Sequence, residues 1–345
     1  MNDLVVSSSP HIKNSSSTRR IMLDVLIALI PSAAAAIVFF GHTVALNVLF
    51  CSLFCYGAEL LYDLILTKSF TREGVKKSSC HDLSCLVTGV LLALNLPPYF
   101  DVWGLNIYAG ETVAFSFDAL FACLIGSVFA IVVAKKLFGG IGRNIVNPAL
   151  SGRVFLFMCF GAGFAAKADV FDAVSSATWL SSKSAVDGSV LLDMFIGKTG
   201  SAAVGETCVI ALIVSYAYLV IRRVIDWRLP LVTIVSTAVF ALVFDGLLKG
   251  VSGDTLWLNT LAHVLSGGVV FGAVFMVTDY ATSPNSTLGK MIFATGVGLI
   301  TVLIRVYASY PEGVSFAILI MNVFTPLIDR YVYPRPFGAT RGNKK

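Results

Sequence analysis

The feature that most constrains this sequence is a series of ten apolar segments that are long enough, or nearly so, to cross a lipid bilayer. A spanning helix needs about 20 predominantly apolar residues. The chain is 57% hydrophobic and only 13% charged, which is too little charge to cover a soluble globule of this size. The sequence therefore predicts an all-α integral membrane protein of about ten transmembrane helices. The segments are 21–40, 43–67, 82–96, 116–137, 146–165, 205–222, 229–248, 260–278, 287–307 and 312–330.

The distribution of Lys and Arg predicts how these segments are oriented, because positive residues are retained on the cytoplasmic side of a membrane. With the N-terminus inside, 19 of the 25 Lys and Arg residues fall in cytoplasmic segments and five fall on the opposite side. The N-terminal segment 1–20 and the tail 331–345 are therefore predicted to be cytoplasmic. The longest external segment is 166–204, and long loops in compact proteins are usually functional or disordered.

The segments on either side of this loop form two halves, 21–165 and 205–330, with similar features at corresponding positions. Residues 85–97 resemble 264–276, since each stretch contains Gly and precedes a polar or Pro-marked break. Residues 125–155 and 296–326 each end in a span with an Asn at its centre. Because each half has five spans, the halves must enter the membrane in opposite orientations, as in the inverted repeats of transporters. The alternative is chance similarity between apolar runs.

Titratable residues do not form a soluble enzyme site or a dedicated metal centre in this sequence. The four histidines show no i, i+4 pair and the seven cysteines show no CxxC spacing, so neither an imidazole site nor a thiolate cluster is expected. His263 is either a proton carrier or an interfacial side chain. Six carboxylates near span ends either line an ion pathway or anchor helix ends. They are Asp24, Glu59, Asp63, Asp118, Asp245 and Asp329.

A denser polar signal lies at residues 139–153, which contain three glycines, two asparagines and a proline. Glycines permit a tight turn, and Asn144 and Asn147 offer both donors and acceptors. Pro148 suits a helix start, where free amides can bind an anionic or heteroaromatic group. The alternative is an ordinary loop entering a helix, with Arg153 paired internally. The second-half counterpart, 276–284, contains Asp279 and reads as a capping turn that needs no ligand.

A third motif, Asp-Ala-Val-Ser-Ser-Ala-Thr at 172–178, lies in the long external segment. Alone it would be a Ser/Thr-rich loop. Together with 139–153 and 278–284, in this order on a ten-span chain, it resembles the D subunits of Rnf complexes, and the chain is similar to the B subunits of sodium-pumping NADH:quinone oxidoreductases. The resemblance covers essentially the whole chain. It implies a fold like that of urea and ammonium channels, with two inverted five-helix repeats.

The resemblance also implies a flavoprotein subunit of a complex that couples ferredoxin:NAD electron transfer to Na⁺ or H⁺ translocation, with no complete active site in this chain alone. It implies FMN joined through its phosphate to the hydroxyl of Thr178 by a separate flavin transferase, and a second, non-covalent riboflavin in the membrane part. The transferase would recognise Asp172, Ser175, Ser176 and Ala177, where Ser176 replaces a frequent Gly of the family. The riboflavin candidates are Asn144, Asn147 and Arg153.

The expected partners are the other membrane subunits of the complex, including a second flavinylated subunit, and membrane lipid. The subunits that handle ferredoxin and NAD would lie on the cytoplasmic side of a bacterial inner membrane, with the flavin loop on the outer face. Nucleic acid is not expected, because no basic patch is interleaved with aromatics. Two alternatives remain at this point: a cofactor-free channel or transporter with an inverted-repeat pore, and a scaffold that carries FMN without conducting ions.

Overall fold

The computed structural model describes residues 17–68, 71, 74–75, 78–98, 100, 102–109, 112–161, 169–170, 173–174, 188–197, 203–249, 253–308 and 313–332. Helices dominate these residues. They are α1 (Thr18–Phe40), α2 (His42–Thr67), α3 (Ser84–Asn95), α4 (Phe117–Lys136), α5 (Pro148–Cys159), α6 (Gly188–Ile196), α7 (Val209–Ile221), α8 (Arg228–Gly246), α9 (Asp254–Leu265), α10 (Val269–Met276), α11 (Thr287–Tyr307) and α12 (Gly313–Tyr331).

Smaller elements connect or modify these helices. The ends of α4, α8 and α10 are π-helical, over Phe129–Lys136, Leu242–Gly246 and Gly272–Met276. Single 3₁₀ turns occur at Ser79–Asp82, Val204–Glu206 and Leu247–Lys249. Two antiparallel hairpins pair β1 (Asn106–Ala109) with β2 (Thr112–Ser116) and β3 (Asp169–Val170) with β4 (Ala173–Val174).

The predicted all-α membrane fold is confirmed, and each of the ten predicted segments contains a helix. In the part of the chain that the structure describes, six helices are long and apolar enough to cross a membrane, namely α1, α2, α4, α8, α11 and α12. The pair α9 and α10, bent by 53°, forms a seventh candidate there. Helices α3, α5 and α7 are shorter, at 12, 12 and 13 residues. At 1.5 Å per residue they cover only about 20 Å of the roughly 30 Å hydrocarbon core. Ten full spans are thus not established.

The short helices end where local sequence stops them and where the surrounding protein covers the exposed backbone. Helix α3 begins after Leu83, which adopts a left-handed conformation with φ 63°, and ends just before Pro97 and Pro98. Helix α5 begins at Pro148, which suits the first turn because its missing N–H would be unpaired there. Leu92 of α3 and Leu156 of α5 are completely buried. Irregular backbone is tolerated at membrane depth where protein buries it.

Small residues let helices of each half approach each other closely. A Cβ added at Gly89 of α3 would lie 2.7 Å from the Cα of Ser52 in α2. In the second half, a Cβ at Gly298 of α11 would lie 2.8 Å from the backbone nitrogen of Thr237 in α8. Such contacts supply the van der Waals packing that drives helix association in lipid, where no hydrophobic force acts between helices.

The loop between α3 and α4 is organised by one buried carboxylate. Asp118, in the first turn of α4, is completely buried. Its two oxygens accept hydrogen bonds from four successive backbone N–H groups, those of Val102, Trp103, Gly104 and Leu105, at 2.9, 2.8, 3.1 and 3.3 Å. The carboxylate therefore fixes the path of the chain from α3 into the first hairpin, which is a structural role.

The substitution Asp118→Ala is expected to destabilise the protein by about 3 kcal/mol, because it leaves four backbone N–H donors without their charged acceptor. Thermal unfolding of the detergent-solubilised protein measures this change. The control is Asp82→Ala, whose carboxylate makes no hydrogen bond within the described residues. Equal shifts of the unfolding temperature in the two variants would contradict the assigned role of Asp118.

Candidate functional site

Two of the three sequence motifs meet at a single pocket, which forms the candidate site. The first motif leaves α4 through three glycines with positive φ, Gly139, Gly140 and Gly142, at 109°, 89° and 80°. These values lie in the left-handed region that glycine adopts readily. The turn places Asn147 at the N-cap of α5. Its Oδ1 accepts hydrogen bonds from the N–H groups of Ala149 and Leu150 at 3.1 and 3.3 Å.

The second motif forms the turn between α10 and α11. Asp279 accepts hydrogen bonds from the Ala281 N–H at 3.4 Å and from the Thr282 hydroxyl at 3.1 Å. Thr325 of α12 donates its hydroxyl proton to the Thr282 carbonyl at 2.8 Å, which ties this turn to the last helix. The predicted turn is therefore present, but its predicted capping role is wrong, because Ser286 caps α11 by accepting a hydrogen bond from the Gly289 N–H at 3.0 Å. The position of the turn beside 139–149 is what the tertiary structure adds.

The pocket between the two motifs encloses about 100 Å³ and is lined mainly by apolar side chains. Its walls come from the beginnings of α1 and α3, the ends of α7 and α10, and both motifs. A mostly apolar lining with a few convergent polar groups is typical of a small-molecule site. The polar lining residues are Ser84, Thr88, Lys135, Asn144, Asn147, Thr278, Asp279 and Tyr280.

The polar groups in the lining leave hydrogen-bonding capacity for a ligand. Within the described residues, the Nδ2 of Asn147 donates to no protein acceptor, while the Nδ2 of Asn144 donates to the Val146 carbonyl at 3.2 Å. Burial raises the pKa of the Asp279 carboxyl, against the lowering effect of its two hydrogen bonds. The pocket thus offers an amide donor and a carboxyl group that holds its proton to higher pH than usual. These two donors suit a ligand that presents carbonyl oxygens or unprotonated ring nitrogens as acceptors.

Arg153, the third residue of the predicted second-flavin environment, does not line this pocket. Its guanidinium is buried and donates to the Asn95 side-chain oxygen at 3.1 Å and to the Ser315 hydroxyl at 2.8 Å. These contacts join the end of α3, α5 and the start of α12. Arg153 therefore lies where the two halves of the chain meet.

Asn147 and Asn322, the corresponding asparagines of the two halves, also touch each other. In the amide orientation that satisfies both of its polar atoms, Asn322 accepts from the Asn147 backbone N–H at 3.1 Å and donates to the Ile318 carbonyl at 3.3 Å. The contact ties the start of α5 to the middle of α12 and so joins the two halves. The prediction of an Asn at the centre of each final span holds for Asn322 but not for Asn147, which is the N-cap of α5.

The attachment motif is only partly described. Ala173 and Val174 form β4, whereas Asp172, Ser175, Ser176, Ala177 and Thr178 lie outside the described residues. The flavinylation prediction therefore remains a prediction.

A buried charge cluster beside the pocket was not foreseen from the sequence, where Lys135 and Lys136 counted only among the cytoplasmic positive charges at the end of the span 116–137. Lys135 Nζ lies 2.6 Å from Glu59 and donates to the Ser84 hydroxyl at 2.7 Å, and Lys136 Nζ lies 3.2 Å from Glu59 and 2.7 Å from Asp63. Lys135 and Glu59 are 3% and 1% exposed. The sequence signal was the i, i+4 spacing of the two carboxylates on α2.

A second buried cluster lies at the end of α8. His263 Nε2 is 3.0 Å from Asp245 Oδ2, and Arg305 donates to the backbone carbonyls of His263, Ser266 and Gly267. The sequence singled out Asp245 and His263 separately, but nothing in the sequence paired them.

The family model described as NQR2, RnfD, RnfE family matches residues 5–338. The chain belongs to the NQR2, RnfD, RnfE family. The resemblance inferred from the three motifs is thereby confirmed.

Relatives within the family match this chain over nearly its whole length. The D subunit of the Na(+)-translocating ferredoxin:NAD(+) oxidoreductase complex of Acetobacterium woodii is 38% identical over 349 residues, covering 99% of this chain and 98% of the relative. The D subunit of the proton-translocating ferredoxin:NAD(+) oxidoreductase complex of Clostridium ljungdahlii is 33% identical, with 99% and 98% covered. The D subunit of the ion-translocating oxidoreductase complex of Escherichia coli is 31% identical, with 98% and 99% covered.

Proposed function

We propose that this chain is the D subunit of an Rnf-type complex that couples electron transfer from ferredoxin to NAD to the translocation of Na⁺ or H⁺. The observation that carries the proposal is the full-length similarity to relatives named as this subunit, at 38% identity in the first case. The chain would act with the other membrane subunits of the complex in a bacterial inner membrane, with both termini in the cytoplasm.

The redox chemistry would come from flavin, and the protein would supply attachment, orientation and electrostatics. FMN would be joined to Thr178 by a flavin transferase that reads Asp172 and the small residues 175–177. A phosphoester needs an accessible alcohol, and small neighbours allow the transferase to approach. A second flavinylated subunit would lie nearby.

A non-covalent flavin would occupy the pocket between the two motifs. The Asn147 Nδ2 would donate a hydrogen bond to it, and Asp279 and Asn144 would line its polar edge. Apolar residues of α3 and α10, including Leu91 and Phe275, would cover its faces. The side chains would exclude water and fix the ring relative to the protein.

The subunit assignment is tested in membrane vesicles from a strain that lacks this chain. Ferredoxin-dependent NAD⁺ reduction and the coupled ion uptake are both expected to disappear and to return when the full-length chain is supplied again. A tag on this chain should also purify the remaining membrane subunits after mild solubilisation. Vesicles that retain ferredoxin-driven ion uptake without the chain would disprove the assignment.

The substitution Asn147→Asp tests the pocket, because aspartate keeps the helix-capping oxygen but removes the amide donor. Affinity for non-covalent flavin is expected to fall about tenfold, the effect of losing a hydrogen bond worth about 1.5 kcal/mol. The measurement is flavin released by acid precipitation, with covalent flavin unchanged. The control is Asn259→Asp in α9, outside the pocket. Equal retention of released flavin in Asn147→Asp and the control would contradict the pocket assignment.

A further inference from the structure

The two buried charge clusters occupy corresponding positions in the two halves of the chain. In the first half, Glu59 near the end of α2 and Lys135 near the end of α4 converge beside Ser84 at the beginning of α3. In the second half, Asp245 at the end of α8 and Arg305 near the end of α11 converge beside His263, close to the break between α9 and α10. In an inverted repeat, corresponding helix ends lie at opposite membrane faces, so the clusters face opposite sides.

The clusters differ in how they respond to pH. The first consists of Lys and carboxylate groups, residue types whose ordinary side-chain pKa values lie outside the range from pH 5 to 8. The second contains His263, and histidine is the side chain that ordinarily changes charge in this range. The side chains of His263 and Asp245 are 5% and 18% exposed, so the pair is largely buried but still in contact with solvent.

His263 lies beside the break between α9 and α10. At this break a cation contacts the end of α9 and a carboxylate contacts the beginning of α10. Arg305 is buried and donates to the carbonyl of His263 and, at 2.9 and 2.8 Å, to those of Ser266 and Gly267. These carbonyls form the negative end of α9. A Cβ at Gly268, just before α10, would lie 2.8 Å from Glu206 Oε2, so this carboxylate lies against the positive end of α10.

We propose that His263 and Asp245 form a proton-binding site at the break of the bent span, on the opposite side of the membrane from the Glu59 and Lys135 cluster. A proton from water on that side adds to the neutral imidazole, and the imidazolium formed pairs with the Asp245 carboxylate 3.0 Å away. Asp245 from α8 faces the imidazole, Arg305 from α11 binds the His263 carbonyl, and Glu206 lies at the break. Helix α6, which carries Asp193, packs on α9 through apolar side chains.

Protonation changes the charge next to a helix break that electrostatic contacts hold in place. A broken helix whose carbonyls face an internal cation is a typical position for ion sites in transporters. Here the Arg305 guanidinium binds the carbonyls in place of an ion. A proton on His263 therefore changes the electrostatic interactions that hold Arg305 at these carbonyls. Proton uptake on one side is thereby linked to the geometry of the bent span.

The site is tested in the full-length protein in lipid vesicles with His263 as the only histidine, using His11→Gln, His42→Gln and His81→Gln together. Nitrogen-15 NMR of labelled histidine then reports a single imidazole between pH 5 and 8. The imidazole is expected to gain a proton as the pH falls, and Asp245→Asn is expected to lower the protonated-to-neutral ratio at pH 6 about tenfold, because it removes the facing negative charge. Asp226→Asn, which neutralises a partly exposed carboxylate that faces Lys290 instead, serves as the matched control and should leave the ratio unchanged.

The side and the ligand are tested in the same vesicles. A pH change applied only on the side opposite the first cluster should shift the imidazole signal, and replacing Na⁺ with K⁺ should leave it unchanged. An imidazole that stays neutral throughout, that ignores Asp245→Asn, or that responds only from the other side overturns the proposal. Suppression of protonation by Na⁺ also overturns it, in favour of a metal cation. Because Thr178 is untouched, the result is independent of flavin attachment.

Discussion

Replacing Thr178 with alanine is expected to abolish covalent flavin on this protein completely, because the phosphoester has no other alcohol at that position. The protein is produced together with its flavin transferase and run on a denaturing gel, where covalent flavin fluoresces under ultraviolet light. The wild-type band should fluoresce and the Thr178→Ala band should not.

The control for this experiment is Ser181→Ala, which removes a hydroxyl from the same segment three residues away. Its band should be as bright as wild type. A colourless wild-type band would favour a cofactor-free channel, and fluorescence that survives Thr178→Ala would move the attachment to another residue.

The substitution Lys135→Met is expected to destabilise the protein by about 3–5 kcal/mol, the cost of leaving a buried partner charge uncompensated. Lys135 and Glu59 are 2.6 Å apart and almost fully buried. Without Lys135, the carboxylates of Glu59 and Asp63 share the single ammonium group of Lys136. Loss of folded protein in thermal unfolding of the solubilised chain measures the effect.

The double variant Glu59→Gln with Lys135→Met should recover much of the lost stability, since replacing both partners of a buried pair by neutral groups is often close to neutral. Lys290→Met is the surface control, because Lys290 lies 3.6 Å from Asp226 and both are 27% exposed. Its effect should stay below about 1 kcal/mol. If the double variant is no more stable than Lys135→Met, the destabilisation does not arise from the unpaired charge of Glu59.

The local patterns of this sequence were sufficient for the membrane fold and for the separate motifs. Apolar length located a helix in every predicted segment, and the glycines and Pro148 predicted the turn and the helix start that the structure contains. Length was misleading for α3, α5 and α7, which are shorter than the apolar segments that contain them. In α3 most of the apolar residues are buried by protein rather than by lipid. Hydropathy does not distinguish these two environments.

The sequence by itself determined the class of protein, the family and the identity of Thr178 as the attachment candidate, since these depend on composition and on contiguous motifs. Only the tertiary structure decided which distant residues meet. In the structure, Asn147 and Asp279 line one pocket. Arg153 donates hydrogen bonds to Asn95 and Ser315. Lys135 forms an ion pair with Glu59. The physical reason is that a buried charge or donor needs a partner, and in a helical bundle that partner comes from another helix far away in sequence.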